Sequence, residues 1–182
     1  AYAVPFVTVA RTVADSNSHG ASGRLVRILR IYDVLRRSNQ SASQSLSLVD
    51  GLSRECDATL HVLDVAHGAD MMPMPTPLAT EIRDAVMKML EGRPRPFPAF
   101  MRLTLEHNTV LVLPAGAEDR AVMVALPTSD SQVDLVVLQH AATIVTLEVE
   151  RRAAAAVRRR ESGTRLFQQL LDHSIDGDAA AT

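Results

Sequence analysis

"FMRLTLEHNTVLVLPAGAEDRAVMVALP", Phe100 to Pro127, holds three apolar runs separated by two turn signals. In the first (100–107), Phe100, Arg102, Thr104 and Glu106 alternate with Met101, Leu103 and Leu105. That is the period-2 pattern of a strand with one covered face. "TVLVLPAG" (109–116) is apolar almost throughout, and "RAVMVALP" (120–127) is a third strand candidate. "EHN" reads as a tight hairpin and "AGAED" as a short turn. Strands joined by such short connections pair antiparallel, because a parallel crossover needs a dozen or more residues.

The surroundings of this block are helical. Downstream, proline is absent from 128 to 182, so a long helix is expected. Ser129 or Asp130 would cap it, with Asp134 adding negative charge to its first turns. Upstream, "LATEIRDAVMKMLEG" (78–92) places Leu78, Ile82, Ala85 and Met89 on one side of a helix closed by Gly92. "RPRPFP" before the strands is an extended connector. "MMPMPTP" (71–77), with three prolines in seven residues, is irregular. "ATLHVLDV" (58–65) is strand-like. A helix over 45–56 turns Leu46, Val49 and Leu52 inward. Another over 24–38 carries Leu25, Ile28, Leu29, Tyr32 and Leu35 at helical spacing, with most of its arginines on other faces. "DSNSHGASG" (15–23) has the composition of a linker, preceded by a short helix after Pro5. The order is helix, helix, strand, turn, helix, three strands, long helix. It predicts an α+β fold, with an antiparallel sheet and the terminal helices packed on one face. The middle helix and the proline-rich segment are left for the other face.

Composition narrows the function. The chain has 182 residues, 47% of them apolar but only 3% aromatic, so its core is aliphatic. Net charge is −2, from 19 basic and 21 acidic residues, against the basic excess of a dedicated nucleic-acid binder. A single cysteine, Cys56, cannot form an intrachain disulfide and suits a reducing compartment. No run of 18 apolar residues is present, so no membrane contact is expected. The first residues, "AYAVPFVTVA", read as an internal cut in a longer protein.

The order of elements resembles GAF/PAS-like sensory domains, and three segments are similar to PucR-type purine-catabolism regulators. "VPFVTVARTVA" resembles the closing segment of their N-terminal domain. "LVDGLSRECDATLHVLD" resembles the helix and first strand that enter their GAF-like domain. "LEVERRAAAAVRRRESGTRLFQQLLDH" (147–173) is similar to the helix that leaves it. The resemblance implies a cytoplasmic bacterial transcription regulator, of which this chain is the middle sensory module. DNA would then be contacted only through a helix-turn-helix domain outside the chain. On this division, 1–23 is the tail of a preceding domain with its linker, 24–150 the GAF-like domain, and 151–182 a helical extension with a disordered tail, expected to be frayed after Gly163 or buried against a neighbouring subunit. The resemblance supplies no binding residues.

The six histidines form no i, i+4 pair, and Cys56 with His61 and His67 is the nearest approach to a ligand cluster, so no metal is expected. No G-x-S-x-G, P-loop or G-x-G-x-x-G is present. Cys56 lies between Glu55 and Asp57, which would raise a thiol pKa and so disfavour a reactive thiolate. Neither enzyme activity nor a cofactor is expected. A ligand pocket would lie between the sheet and segment 71–98. Met72 and Met74 would give an apolar wall, while Arg83, Arg102 and His107 would fix an anionic or heterocyclic metabolite.

The arginines of 151–160 read as a solvated face, with Glu148 spaced to pair with Arg151 and Arg152. The long helix is apolar nearly all round from 135 to 149, which predicts two partners. A homodimer through the terminal helices is therefore expected, with Leu25, Ile28, Leu138, Ala142, Val145, Val149 and Ala156 at the interface. The favoured function is a sensory and dimerisation module relaying a metabolite signal through the long helix. A ligand-free dimerisation module is the alternative, followed by an arginine-rich nucleic-acid-binding helix.

Overall fold

Alternation within the strands divides their side chains between two cores. On one side lie Ala58, Leu60, Val62, Leu111, Leu113, Ala115, Ala121, Met123 and Ala125. On the other lie Leu63, Met101, Val110, Val112, Val122 and Val124. The computed structural model describes the backbone of residues 6–38, 44–105, 108–128 and 133–179. Within these it describes side chains except at 6–20, 44–47, 166–167 and 169–179. Its strands are β1 (Ala58–Asp64), β2 (Met101–Leu105), β3 (Asn108–Ala115) and β4 (Ala121–Pro127). They form one antiparallel sheet in the order β1-β4-β3-β2. β3 and β4 are central and carry the most continuous apolar runs, because both of their faces are covered.

Helices α1 (Phe6–Ser38), α2 (Gln44–Cys56) and α4 (Leu135–Ala179) pack on the first face, and α3 (Thr80–Leu90) on the second. α2 contributes Leu48, Val49 and Leu52, all buried. α1 contributes Ile31 and Val34, flanked by half-buried Ile28 and Leu35. Gly51 allows α1 and α2 to approach, since a Cβ there would lie 2.7 Å from Val34 Cγ1. Arg27 of α1 donates to the Glu55 carbonyl at 2.9 and 2.6 Å, capping the C-terminus of α2. α4 begins at Leu135, and its cap is Asp134: Oδ1 accepts from the Val136 N–H at 3.0 Å and the carbonyl accepts from Leu138. Arg24 pairs with the same carboxylate at 2.5 Å. The expected caps Ser129 and Asp130 lie outside the described residues. Those hydrogen bonds hold the Asp134 carboxyl below its usual range, outweighing the desolvation that would raise it.

Two boundaries differ from the sequence expectation. The linker assigned to 15–23 is helical, because α1 runs unbroken from Phe6 to Ser38. Its two glycines and three serines weaken helix propensity by a few tenths to about 1 kcal/mol each, which a continuous ladder tolerates. α4 likewise passes through Gly163 to Ala179 instead of fraying there. No described helix is long and apolar enough to cross a membrane.

Candidate functional site

A cleft of 670 Å³ opens beside α3, between that helix, the start of the loop after β1 and the proline-rich connector. Val65, Met87, Leu90 and Phe97 make its apolar floor, with Lys88, Arg93, Arg95, Asp84 and Glu91 around it. α3 presents Met87 and Leu90 because its inner stripe, including buried Val86 and Leu90, faces the sheet. The proline-rich connector then returns along the cleft. Arg95 donates to the Glu118 carbonyl at 3.0 Å, and its guanidinium stands 5.6 Å from the centre of the Phe97 ring. The Phe97 N–H donates to the Asp119 carboxylate. Arg93 donates to the Met89 carbonyl at 2.7 Å, at the C-terminal end of α3. Lys88 makes no ion pair among the described residues. The rim thus mixes three cations with two carboxylates over an apolar floor.

The sequence-derived pocket residues do not converge on this cleft. Met72 is buried in the core on the opposite face, and Met74 packs against that same core. Arg102 is opposite Leu111, which also faces the helical side, so alternation carries Arg102 away from α3 and leaves it exposed. His107 lies outside the described residues. Arg83 does belong to the α3 side, but it is engaged: it donates to the Gly68 carbonyl at 2.9 Å and to Asp70 at 2.7 Å. The cleft is lined instead by Lys88, Arg93, Arg95 and Phe97, which the sequence reading did not single out. Their signal was present in "RPRPFP", where two arginines and an aromatic ring are held extended by prolines, but it was read only as a connector.

His61 lies on the α3 face of β1, two residues before Leu63, and is 2% exposed. Its Nδ1 has no hydrogen-bond partner among the described residues. Burial lowers its pKa, with Arg83 adding to the effect and Asp70 opposing it. Cys56 is fully buried, and burial pushes its thiol up to about 12. The flanking carboxylates contribute to that rise, but burial is its main cause.

At the far end of the sheet from the β2–β3 connection, α4 leaves its core. Glu148 is 5% exposed and accepts from Arg151 Nε and Nη2 at 2.7 Å each, and from Arg152 Nε at 2.8 Å. Desolvation raises its pKa, but these two guanidinium groups outweigh it and hold the carboxyl below its usual range. Beyond them Arg158, Arg159 and Arg160 are exposed.

The dimer seam expected on α4 also needs correction. Leu138, Ala142, Val145 and Val149 are buried in the core of this chain, so they are not available as an outward seam. The solvent-facing stripe has the same spacing two residues earlier: Val136, His140, Thr143, Leu147 and Ala154. Two residues turn about 200° around a helix, which exchanges the inner face for the outer. Ala156 is exposed, Leu25 is 58% exposed, and Ile28 is half-buried against the core. Leu25, Leu29 and Tyr32 share one exposed face of α1, and Tyr32 Oη is 3.1 Å from His140 Nδ1 of the α4 stripe.

No family model matches this sequence, and no curated protein matches it. Among solved structures, the chain is similar to the GAF domain of a protein described as a sensor histidine kinase from Pseudomonas syringae pv. tomato. The TM-score is 0.50 at 20% identity, over 80% of this chain and 99% of that one. The likeness is one of fold: a GAF-like antiparallel sheet with a long C-terminal helix.

Proposed function

We propose that this chain is a sensory module that binds a small acidic metabolite in the cleft beside α3 and passes its state along α4. The observation that carries the reading is α4 itself. Its first part is core, from Val137 to Val149, and beyond it the helix continues with residues 156–165 exposed. A rigid helix of about 1.5 Å per residue transmits a shift at its root to whatever it meets at its tip. On this reading the whole protein is a cytoplasmic bacterial transcription regulator of the PucR type, and DNA is contacted by a domain beyond this chain. No catalytic step is assigned to the cleft.

Two copies would associate through α1 and α4. Leu25, Val26, Leu29 and Tyr32 are 58, 47, 58 and 41% exposed, and Val136, Leu147 and Val157 are 39, 54 and 52% exposed. Such a run of large apolar side chains across adjacent helices is the signature of an interaction face.

A thermal-shift series with purines, ureides, amino acids and aromatic carboxylates tests the sensor reading. An acid that stabilises the wild type and fails to stabilise Lys88→Met or Arg93→Met supports it. No shift with any compound leaves the ligand-free dimerisation module as the better account.

A further inference from the structure

The α3 face and α4 lie on opposite sides of the sheet, so any influence of one on the other must pass around its edge or its end. One end offers a path. Asp64 closes β1 opposite Ala121 of β4, and Ala121 is opposite Ala115 of β3. Two loops leave the sheet there, and both reach the same stretch of α4, Thr146 to Arg152.

The first loop follows β1. Its chain folds back along the strand, with Asp64 N–H donating to the Ala69 carbonyl and Met71 N–H to the Val62 carbonyl, both at 2.8 Å. Asp70, opposite Leu63, is held by Arg83 of α3. The next carbonyl, that of Met71, accepts from Arg152 Nη1 at 2.9 Å, while the same guanidinium holds Glu148. The second loop joins β3 to β4. Its Gly116 N–H donates to Thr146 Oγ1 at 3.1 Å and its Ala117 N–H to Glu150 Oε1 at 2.7 Å. Gly116 has φ +80°, and a Cβ there would stand 2.9 Å from Arg120 Cγ and 3.1 Å from Val149 Cγ1. The same loop holds Arg95 through the Glu118 carbonyl and Phe97 through the Asp119 carboxylate. Val65 N–H donates to the Arg120 carbonyl at 2.9 Å, joining the two loops.

We propose that Thr146, Glu148, Glu150 and Arg152 form a coupling collar, through which the cleft side of the sheet sets the position of α4 where it leaves the domain. Arg152 and Glu150 are positioning residues: neither lines the cleft. Each holds a backbone group of a loop whose next residues grip α3 or the cleft wall. The collar rests on the proposed role of α4 as the output element, but its contacts are intramolecular and need no ligand to be tested.

Hydrogen exchange on the full chain, without ligand, is the test. Arg152→Met removes the bond to Met71. It should raise exchange in residues 64–71 and the first turn of α3 by about tenfold, the size expected for losing one charge-assisted hydrogen bond. The reciprocal variant is Arg95→Met, which touches the β3–β4 loop and not α4. It should raise exchange in residues 146–156, because coupling between two sites is mutual. Changes confined to the substituted segment in both variants would overturn the proposal. If Arg152→Met fails to fold, Arg152→Lys keeps the charge beside Glu148 but loses the fork that spans both partners, and carries the same expectation. A ligand screen without hits would count against the sensor reading while leaving these exchange results intact.

Discussion

Buried His61 and Glu148 make stability depend on pH in two separate windows. His61 is held neutral, its pKa lowered by burial. The unfolded chain therefore takes up the proton first. Its contribution is complete above the free imidazole value of about 6.5 and declines as pH falls below it. Replacing it with phenylalanine removes an unpartnered polar atom from an apolar face. His61→Phe is expected to be more stable by about 1 kcal/mol at pH 6 and to flatten the stability profile between pH 5 and 7, as urea titrations would measure. Glu148 has its folded pKa depressed by Arg151 and Arg152 against the pull of desolvation. Its contribution is present above the free glutamate value of about 4.3 and is lost as pH falls through the lower folded value. Glu148→Gln should therefore reduce the loss of stability below pH 4 while lowering stability at neutral pH. Cys56, with its thiol pushed up to about 12 and no exposed surface, should react with a thiol reagent at pH 8 only as fast as the protein unfolds.

Among the elements, the regular ones were legible because hydrophobic period is a local property. β2, β3, β4, α2 and α3 all fall within two residues of the spans expected from alternation and 3.6-residue spacing. At 15–23 composition suggested a break in regular structure where a helical ladder continues. The α4 seam was misplaced for a different reason. An all-round apolar helix has no single face to read, and only packing decides that Leu138 and Val145 turn inward while Val136 and Leu147 turn out. The proposed cleft is lined by part of segment 71–98, residues 84–97, whereas Arg102 is carried to the other face by its own strand alternation. Nothing local to the sequence pairs Arg152 with Met71, which is a contact across 81 residues. The α1–α2 approach is similarly non-local. Gly51→Ala would press a Cβ against Val34, whose β-branched side chain has little freedom to yield. It should cost about 1–3 kcal/mol, measurable by chemical denaturation. Gly163→Ala, on an exposed turn of α4 with open space around it, should instead raise the helical signal and add up to about 1 kcal/mol to that segment.

For the whole molecule, a four-stranded sheet holds a cleft on one face and a bundle of terminal helices on the other, and α4 leaves from the end where loops from both sides meet. The outward faces of α1 and α4 decide what the module does with that arrangement. Leu29 and Leu147 are each more than half exposed, a costly use of large apolar side chains unless a second copy covers them. Sedimentation equilibrium at micromolar concentration, on the wild type and on Leu29→Glu with Leu147→Glu, tests this most directly. The account predicts a wild-type dimer and a monomeric double variant with an unchanged circular dichroism spectrum. A wild-type monomer, or a double variant that remains a dimer, would contradict it.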